Sequence, residues 1–424
     1  MNIFSLDIRR ARKGDCLLLH YGTAAKPKLA MIDGGPDDVY QPHLRPRLEK
    51  IRQERVLADD QPLPVDLLMV SHIDDDHIKG ILQFTDELVE AQNEQASPFA
   101  KIRNFWHNTF DDIIGNTPEE LLASVKTKTV TASLDGDIED DEISHETWMV
   151  LSSVDQGFRL RDNARALGLS NVQFEDKLIM EDGGGTLDMG SGLKFVVAGP
   201  MKAELVKLHQ DHEKFLQEKQ KKHGTAVPAS FTDTSVANLS SIVVIAKTGG
   251  KTMLLTGDAR GDKILTGMKN AGLLDNDGKC HVDILKVPHH GSDRNMATSF
   301  FEAITADHYV FSGDGEHGNP ERGTLQMLLD ARGDSDYTVH LTYPVGEIDT
   351  IREKVWKEEQ KKEKDKNAKA EKAGKPTKPV RENWSDAEHG LQAFLDANQD
   401  FAGKIVVTGA EEPHVIDLLD PLGY

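Results

Sequence analysis

Cysteine is nearly absent from this 424-residue chain, which has only Cys16 and Cys280. Each stands beside an apolar run, so a disulfide framework is excluded and the reducing cell interior is the default compartment. Long apolar runs are also missing, and none approaches the roughly 20 residues of a bilayer-crossing helix. The opening Met-Asn-Ile-Phe-Ser-Leu-Asp-Ile-Arg-Arg places charge inside what would be the apolar part of a signal. A cytoplasmic chain with no membrane anchor is expected. Positive charge is scarce as well: 50 Lys and Arg against 71 Asp and Glu give a formal net charge of -21. That excludes a broad clamp on duplex nucleic acid, which needs a basic field, but not a nuclease with a local basic groove. Solenoid-type repeats are absent. What remains is 38% hydrophobic and 29% charged, a soluble globular make-up, long enough for one large domain with insertions or for two.

Against that background residues 65–80 stand out. They read Val-Asp-Leu-Leu-Met-Val-Ser-His-Ile-Asp-Asp-Asp-His-Ile-Lys-Gly, a short apolar strand that breaks into two histidines and three aspartates and then a helix. In extended backbone alternate residues share a face, so His72 and Asp74 point the same way. Asp76 and His77 fall at the turn and face a second position. Ile78, Ile81, Leu82 and Leu88 follow at helical spacing, a stripe that anchors the loop against a sheet. Aspartate suits a helix start. Carboxylates this close repel unless a cation lies between them, so spacing and ligand chemistry together favour a metal site.

Other chemistry-bearing residues sit at strand tips. Strands are expected at 2–8, 15–21 and 28–32, the last ending in Asp33-Gly34-Gly35. On its own Asp33 reads more readily as an ordinary Asp-Gly turn than as a side chain aimed into a site. A helix is expected at 43–57 and a strand at 102–108, whose His107-Asn108 end either reaches the site or caps the edge. Residues 118–180 turn polar and helix-like and include an acidic run at 135–142, read as a solvated face. Gly183-Gly184-Gly185 lacks the context of a phosphate loop and reads as a turn. A strand at 193–198 precedes a charged helix at 202–222. A hairpin at 241–256 delivers Gly257-Asp258. A strand at 283–287 runs into Pro288-His289-His290-Gly291-Ser292-Asp293, and one at 308–312 into Gly313 through Pro320, before a helix at 324–329. A strand at 337–344 follows. Residues 351–381 are Lys/Glu-rich with a positive balance, a charged helix passing into a flexible arm, for which composition favours simple solvation over a nucleic-acid or partner contact. Strands at 404–408 and 415–419 close the chain.

Asp33, His72 with Asp74, Asp258, His289 with His290, and His317 thus recur at strand tips, as one ligand-lined sheet edge would require. Ser71-His72-Ile73-Asp74-Asp75-Asp76-His77 with Gly80, then Thr256-Gly257-Asp258, then Lys286-Val287-Pro288-His289-His290-Gly291-Ser292 resemble the metallo-β-lactamase superfamily. The branch most resembled is the C-terminal hydrolase domain of bacterial competence DNA-uptake channel proteins. Gly14-Asp15-Cys16-Leu17, Ile32-Asp33-Gly34 and His317-Gly318-Asn319-Pro320 add to the likeness, which covers most of residues 1–348, with insertions at about 118–185 and 201–236. Residues 349–424 form the charged arm and closing strands.

The resemblance implies an α/β fold, an αββα sandwich, and one or two divalent ions, Zn²⁺ or Mn²⁺ with Mg²⁺ also possible. His72 and Asp74 would serve one ion, Asp76 and His77 the other, with Asp258 bridging, His289 or His290 completing the second and Asp33 orienting ligands. Two departures stand out. Asp74 replaces the usual histidine, which favours harder ions such as Mn²⁺ or Mg²⁺. The histidine that many members carry after the mid-chain strand is missing at Ala198-Gly199-Pro200. Metal-activated water is the implied nucleophile. Asp76 would accept its hydrogen bond, and His290 or His317 would protonate the leaving group. Lys286 and Asn319 are the substrate-binding candidates, with Arg294 and Arg322 near the mouth. A phosphodiesterase or nuclease taking nucleotides or nucleic acid is expected. A lactone or thioester hydrolase, or a partner-regulated effector with a degenerate site, are the alternatives. A protein partner would use 351–381; oligomeric state is left open.

Overall fold

The computed structural model describes residues 1–108, 145–175, 178–181, 185–202, 240–410 and 412–424. The acidic run at 135–142, Gly183 and Gly184, and nearly all of the charged stretch expected at 202–222 lie outside the described residues. In chain order the strands are β1 (Asn2–Ile8), β2 (Leu17–Thr23), β3 (Lys26–Ile32), β4 (Leu63–Val65), β5 (Leu67–Met69), β6 (Ala100–Ile102), β7 (Phe105–Trp106), β8 (Thr186–Gly190), β9 (Leu193–Gly199), β10 (Val243–Thr248), β11 (Lys251–Leu255), β12 (Cys280–Lys286), β13 (Ile304–Phe311), β14 (Thr338–Leu341), β15 (Ile405–Val407) and β16 (His414–Asp417). The α-helices are α1 (Arg45–Glu54), α2 (Asp75–Asn93), α3 (His145–Ala166), α4 (Gly261–Asn270), α5 (Thr298–Ala303), α6 (Arg322–Arg332), α7 (Val345–Lys372), α8 (Asp386–His389), α9 (Leu391–Ala397) and α10 (Gln399–Ala402). Among the described residues no helix is long and apolar enough to cross a membrane.

The fold is mixed α/β. One sheet has the order β16-β1-β2-β3-β5-β7, a second runs β15-β14-β13-β12-β11-β10-β9-β8, and β4 pairs with β6. Period-2 alternation explains how nearly continuous apolar strands are used on both faces. From the first sheet Phe4, Leu6, Leu19, Tyr21 and Ile32 share one core with Phe195, Val244, Ile284 and Val310 of the second. The intervening residues turn outward. Leu18, Leu29 and Met31 meet Leu48 of α1 and Ile81 and Phe84 of α2. Val243, Leu285 and Tyr309 meet Ile264 of α4, Leu325 of α6 and Phe394 of α9. Residues beyond 348 enter both sheets, β15 beside β14 and β16 beside β1.

Parallel pairing decides which loops meet. β3 runs parallel to β5, with Ile32 opposite Met69, so the loops carrying Asp33 and Ser71-His72 leave side by side. β11 pairs in parallel with β12, and β12 with β13, which brings out the loops of Asp258, His289-His290 and Ser312 together. Two close approaches seat α2 over this edge. A Cβ on Gly80 would lie 1.9 Å from the carbonyl oxygen of Gly34. Likewise, a Cβ on Gly14 would lie 1.8 Å from the carbonyl oxygen of Asp76. Only glycine allows backbone to approach so closely.

Two expectations are corrected. The strand expected at 102–108 is two short strands with a break between, because Arg103 bonds through its backbone to Val65. The arm expected to be flexible after the charged helix is docked: Asn367 holds Lys378 through two hydrogen bonds, Arg381 pairs with Glu363 at 2.8 Å, and Trp356 Nε1 donates to the Glu382 carbonyl.

Candidate metal centre

His72 and Asp74 follow β5 past a bend at Ser71 and lie side by side. Asp74 has φ −71° and ψ 149°, and although it occupies the N-cap of α2 its side chain makes no cap hydrogen bond. Its Oδ2 lies 3.6 Å from Nε2 of His72 instead. One helical step later, Asp76 and His77 open the first turn of α2, with Asp76 Oδ1 3.9 Å from His77 Nε2.

Asp258 stands between these pairs. Its Oδ1 lies 3.2 Å from His77 Nε2 and 3.3 Å from His290 Nε2. Its Oδ2 lies 3.9 Å from His72 Nε2 and 3.7 Å from His289 Nε2. Consecutive histidines in a strand would face opposite ways; here His289 and His290 both have positive φ, 49° and 54°. This rarely populated backbone folds both rings toward the same carboxylate, each on its own oxygen. Asp76, His77, Asp258 and His290 each offer a ligand atom within 4.8 Å of the others, a set able to hold a divalent cation.

Each imidazole is braced from behind. Nδ1 of His77 faces Asp33 Oδ2 at 2.8 Å, and that carboxylate also accepts from the backbone and hydroxyl of Ser71, both at 2.7 Å. Nδ1 of His290 faces Asp15 Oδ1 at 3.3 Å and Ser312 Oγ at 3.1 Å. Ser71 Oγ lies 3.1 Å from Nδ1 of His72, and Asn295 contacts Nδ1 of His289. The carbonyl of His289 accepts from Asn319 Nδ2 at 3.3 Å. With each Nδ1 engaged, the Nε2 atoms converge on Asp258.

The electrostatics match a centre built for positive charge. Burial disfavours the Asp258 carboxylate, but His290, His77 and His289 outweigh that and hold its pKa well below the usual range. Burial works against charge on His77 too, and Asp258 and Asp33 carry its pKa well above the ordinary histidine value. His290 rises to about 9, because Asp258 and Asp15 outweigh its burial. His289 moves the other way: burial lowers it, and Asp258 compensates only in part. Buried Nε2 of His72 and Oδ1 of Asp258 have no hydrogen-bond partner, the condition in which a cation would complete their valence.

Of the residues expected from sequence, His72, Asp74, Asp76, His77, Asp258, His289 and His290 come together, with Asp33 behind His77. The expected choice between His289 and His290 is replaced by one histidine on each oxygen of Asp258. Lys286 is corrected: it is 0% exposed, and its Nζ pairs with Asp15 at 2.8 Å and donates to the Val287 carbonyl at 3.0 Å. Its ammonium is therefore turned away from any substrate. Asn319 is buried against His289 rather than presented at the mouth. His317 is exposed on the 316–318 turn and stands outside the ligand set. Arg322 donates to the Ala387 carbonyl at 2.6 Å. Asn108 caps the edge, bonding both ways to the Ile179 backbone.

Sequence reasoning gave no role to Asp15, Ser71 or Ser312. Asp15 had a signal, a glycine before it and an apolar strand after it, the mirror of Asp33 with glycines behind it. The serines had none, since a lone serine beside a ligand is not distinguishable by spacing.

No protein family matches this chain, and no curated protein does either. Among solved structures, one from Parabacteroides distasonis ATCC 8503, provisionally named a metal-dependent hydrolase, matches with a TM-score of 0.30 and 13% identity, over 80% of this chain and 98% of its own. A likeness of that size decides neither fold family nor chemistry.

Proposed function

We propose that this chain is a metal-dependent hydrolase of phosphodiesters, a phosphodiesterase or nuclease, with the αββα layering of the metallo-β-lactamase superfamily. The observation that carries the reading is the division of Asp258 between two pairs of imidazoles. In this reading Asp76, His77 and His290 would hold one ion with one oxygen of Asp258, and His72, Asp74 and His289 another with the second oxygen. His289 thereby fills the place of the histidine missing after Gly199. Two carboxylates and two histidines per position suit Zn²⁺ or Mn²⁺, with Mg²⁺ admitted by the carboxylates.

A divalent ion bound there supplies Lewis acidity and lowers the pKa of water at the site. The chain's own residues do the rest. Asp76, at the rim and half-buried, accepts the hydrogen bond that orients an attacking water. His290 has both ring nitrogens engaged, which leaves the exposed His317 to protonate the leaving oxygen. Asp15 and Asp33 fix the rings, and Asp33 supplies negative charge that offsets bound cations. All these side chains belong to residues 1–348, the proposed hydrolase unit, whose two sheets are extended by β15 and β16. Phosphodiesters are favoured because their transition state carries charge that a cationic centre neutralises.

The test is hydrolysis of bis(p-nitrophenyl) phosphate and of oligonucleotides by chain stripped with EDTA and reloaded with Mn²⁺, Zn²⁺ or Mg²⁺, beside D258N and D76N. Reloaded chain is expected to turn over, and both variants to lose at least a hundredfold, the scale of a lost transition-state contact of about 2.7 kcal/mol. Full turnover by D258N, or by stripped chain, would sink the reading. So would cleavage of lactones or thioesters with no phosphodiester cleaved.

A further inference from the structure

Resting on the phosphodiesterase reading, we infer that α7 and the arm docked on it form a track that binds single-stranded nucleic acid and leads it to the metal centre. A chain of net charge -21 repels a polyanion over most of its surface, so a substrate of that kind needs one face that attracts it. Helix α7 has such a face because of how the arm lies. Residues 375–383 return along the helix on the side that carries Glu359 and Glu363, and Arg381 pairs with both, which stay part-exposed. One positive charge is thereby set against the two acids. Beyond Arg352 all eight lysines of the helix, Lys354 to Lys372, are exposed, against the exposed acids Glu358, Asp365 and Glu371 and the part-exposed Glu353, which pairs with Lys357. Lys375 and Lys378 of the arm extend the basic surface. From Arg352 to Lys372 the track runs about 30 Å at the usual helical rise.

The end of the track nearest the metal centre is tied to it. Arg352 Nε donates to the Gly318 carbonyl at 3.0 Å, beside His317, and its Nη1 donates to the His389 carbonyl at 2.8 Å. The same loop reaches the metal centre through Asn319, on the carbonyl of His289. Three half-buried rings gather at this junction: Trp356 and His389 with centroids 4.3 Å apart, and Trp384 at 5.3 Å from His389. Aromatic rings at the end of a lysine-lined track are the combination that holds single strands, phosphates on the cations and bases on the rings.

The test compares metal-loaded full chain with the quadruple variant K354Q/K361Q/K362Q/K366Q and a control carrying K50Q/K101Q/K269Q on other exposed surfaces. Binding of a fluorescein-labelled oligothymidylate is followed by anisotropy across salt concentrations, and hydrolysis of bis(p-nitrophenyl) phosphate is measured alongside. The quadruple variant is expected to bind at least tenfold more weakly, with a log–log salt slope smaller by about 3, since each lost single-strand phosphate contact removes about 0.7. The control and the small-diester rate are expected to stay at the wild-type level. Equal binding by wild type and the quadruple variant overturns the track, as does failure of wild type to bind while it cleaves the small diester. Loss of oligothymidylate binding in the quadruple variant, in a chain that cleaves no diester, supports the track and overturns the phosphodiesterase reading instead.

Discussion

Asp15 stands directly behind His290, its Oδ1 3.3 Å from the ring's Nδ1, while its other oxygen receives the buried ammonium of Lys286 at 2.8 Å. The pair mirrors Asp33 and His77 on the other side of Asp258. Burial raises the pKa of Asp15, but Lys286 and His290 outweigh it and keep the carboxyl well below its usual range. The centre is thus flanked by two fixed anions, each orienting one ring, with the charge of Asp15 balanced by Lys286.

Removing one of those anions is expected to weaken metal binding before it touches chemistry. D15N should lower metal affinity ten- to a hundredfold, read by competition with a chelating dye. It also leaves Lys286 buried without its counter-charge, so a loss of roughly 3–5 kcal/mol of stability in urea is expected. The double variant D15N/K286M should recover part of that stability but none of the affinity. Additive losses in both measurements would show that the two residues do not act as a pair.

Much of this arrangement was legible in the sequence because its carriers have sharp local signals. The run from His72 to His77 declares itself by ligand density, and strand alternation places Asp74 beside His72. Asp258, His289 and His290 follow apolar strands, so their convergence needed only parallel pairing of neighbours. What was not legible depends on backbone detail. No spacing rule says that His289 and His290 both adopt positive φ, and without that bend only one could reach Asp258. Lys286 looked like a substrate contact because a basic group near the mouth of the site would help bind a phosphodiester; that Asp15, far away in the chain, claims it is a tertiary fact. The docking of the arm on α7 depends on single pairings such as Arg381 with Glu363, which composition cannot reveal.

The close approach of Gly34 and Gly80 makes the seat of α2 testable. A methyl group on Gly80 would lie 1.9 Å from a carbonyl oxygen that cannot easily move, because Gly34 N donates to the His77 carbonyl at 2.8 Å. G80A is expected to cost at least 1–3 kcal/mol, the usual range for overpacking, and to displace Asp76 and His77. Metal affinity should therefore fall together with the thermal midpoint. Wild-type affinity in G80A would mean that α2 is not what positions these ligands.

Away from the centre, half-buried His308 and buried His340 and His414 form a chain, His340 joining the other two at 3.0 and 2.8 Å. Burial, with His414 and His308 as neighbours, lowers His340 to about 3, and burial lowers His414 to about 4. A histidine depressed in the folded state is neutral there while the unfolded chain takes up a proton. Stability is therefore lost as pH falls below the ordinary value of 6.5, by about 1.4 kcal/mol per pH unit for each such group. H340Q should remove one share, so that its loss between pH 7 and pH 5, measured by urea unfolding, is smaller than wild type's by roughly 2 kcal/mol. An unchanged pH dependence would mean that His340 is protonated in the native chain.

The division of Asp258 between two pairs of imidazoles gives the sharpest expectation about metal count. H289A removes a ligand only from the side of His72 and Asp74, and H290A only from the side of Asp76 and His77. Each should leave one position able to bind, so metal analysis after dialysis is expected to fall from two ions per chain toward one. D258N weakens both sides at once, and should bring the count toward zero and abolish any rise in thermal midpoint on adding Mn²⁺ or Zn²⁺, since a ligand stabilises only what it binds. The two histidine variants should also differ in metal preference. Without His289 the first side keeps His72 with carboxylates, a harder set that favours Mn²⁺ over Zn²⁺. Without His290 the second side keeps Asp76 and His77 while the first retains both histidines, which favours Zn²⁺. If H289A and H290A lost metal to the same extent as D258N, the two sides would be one position, and a single ion held by the whole cluster would replace the pair.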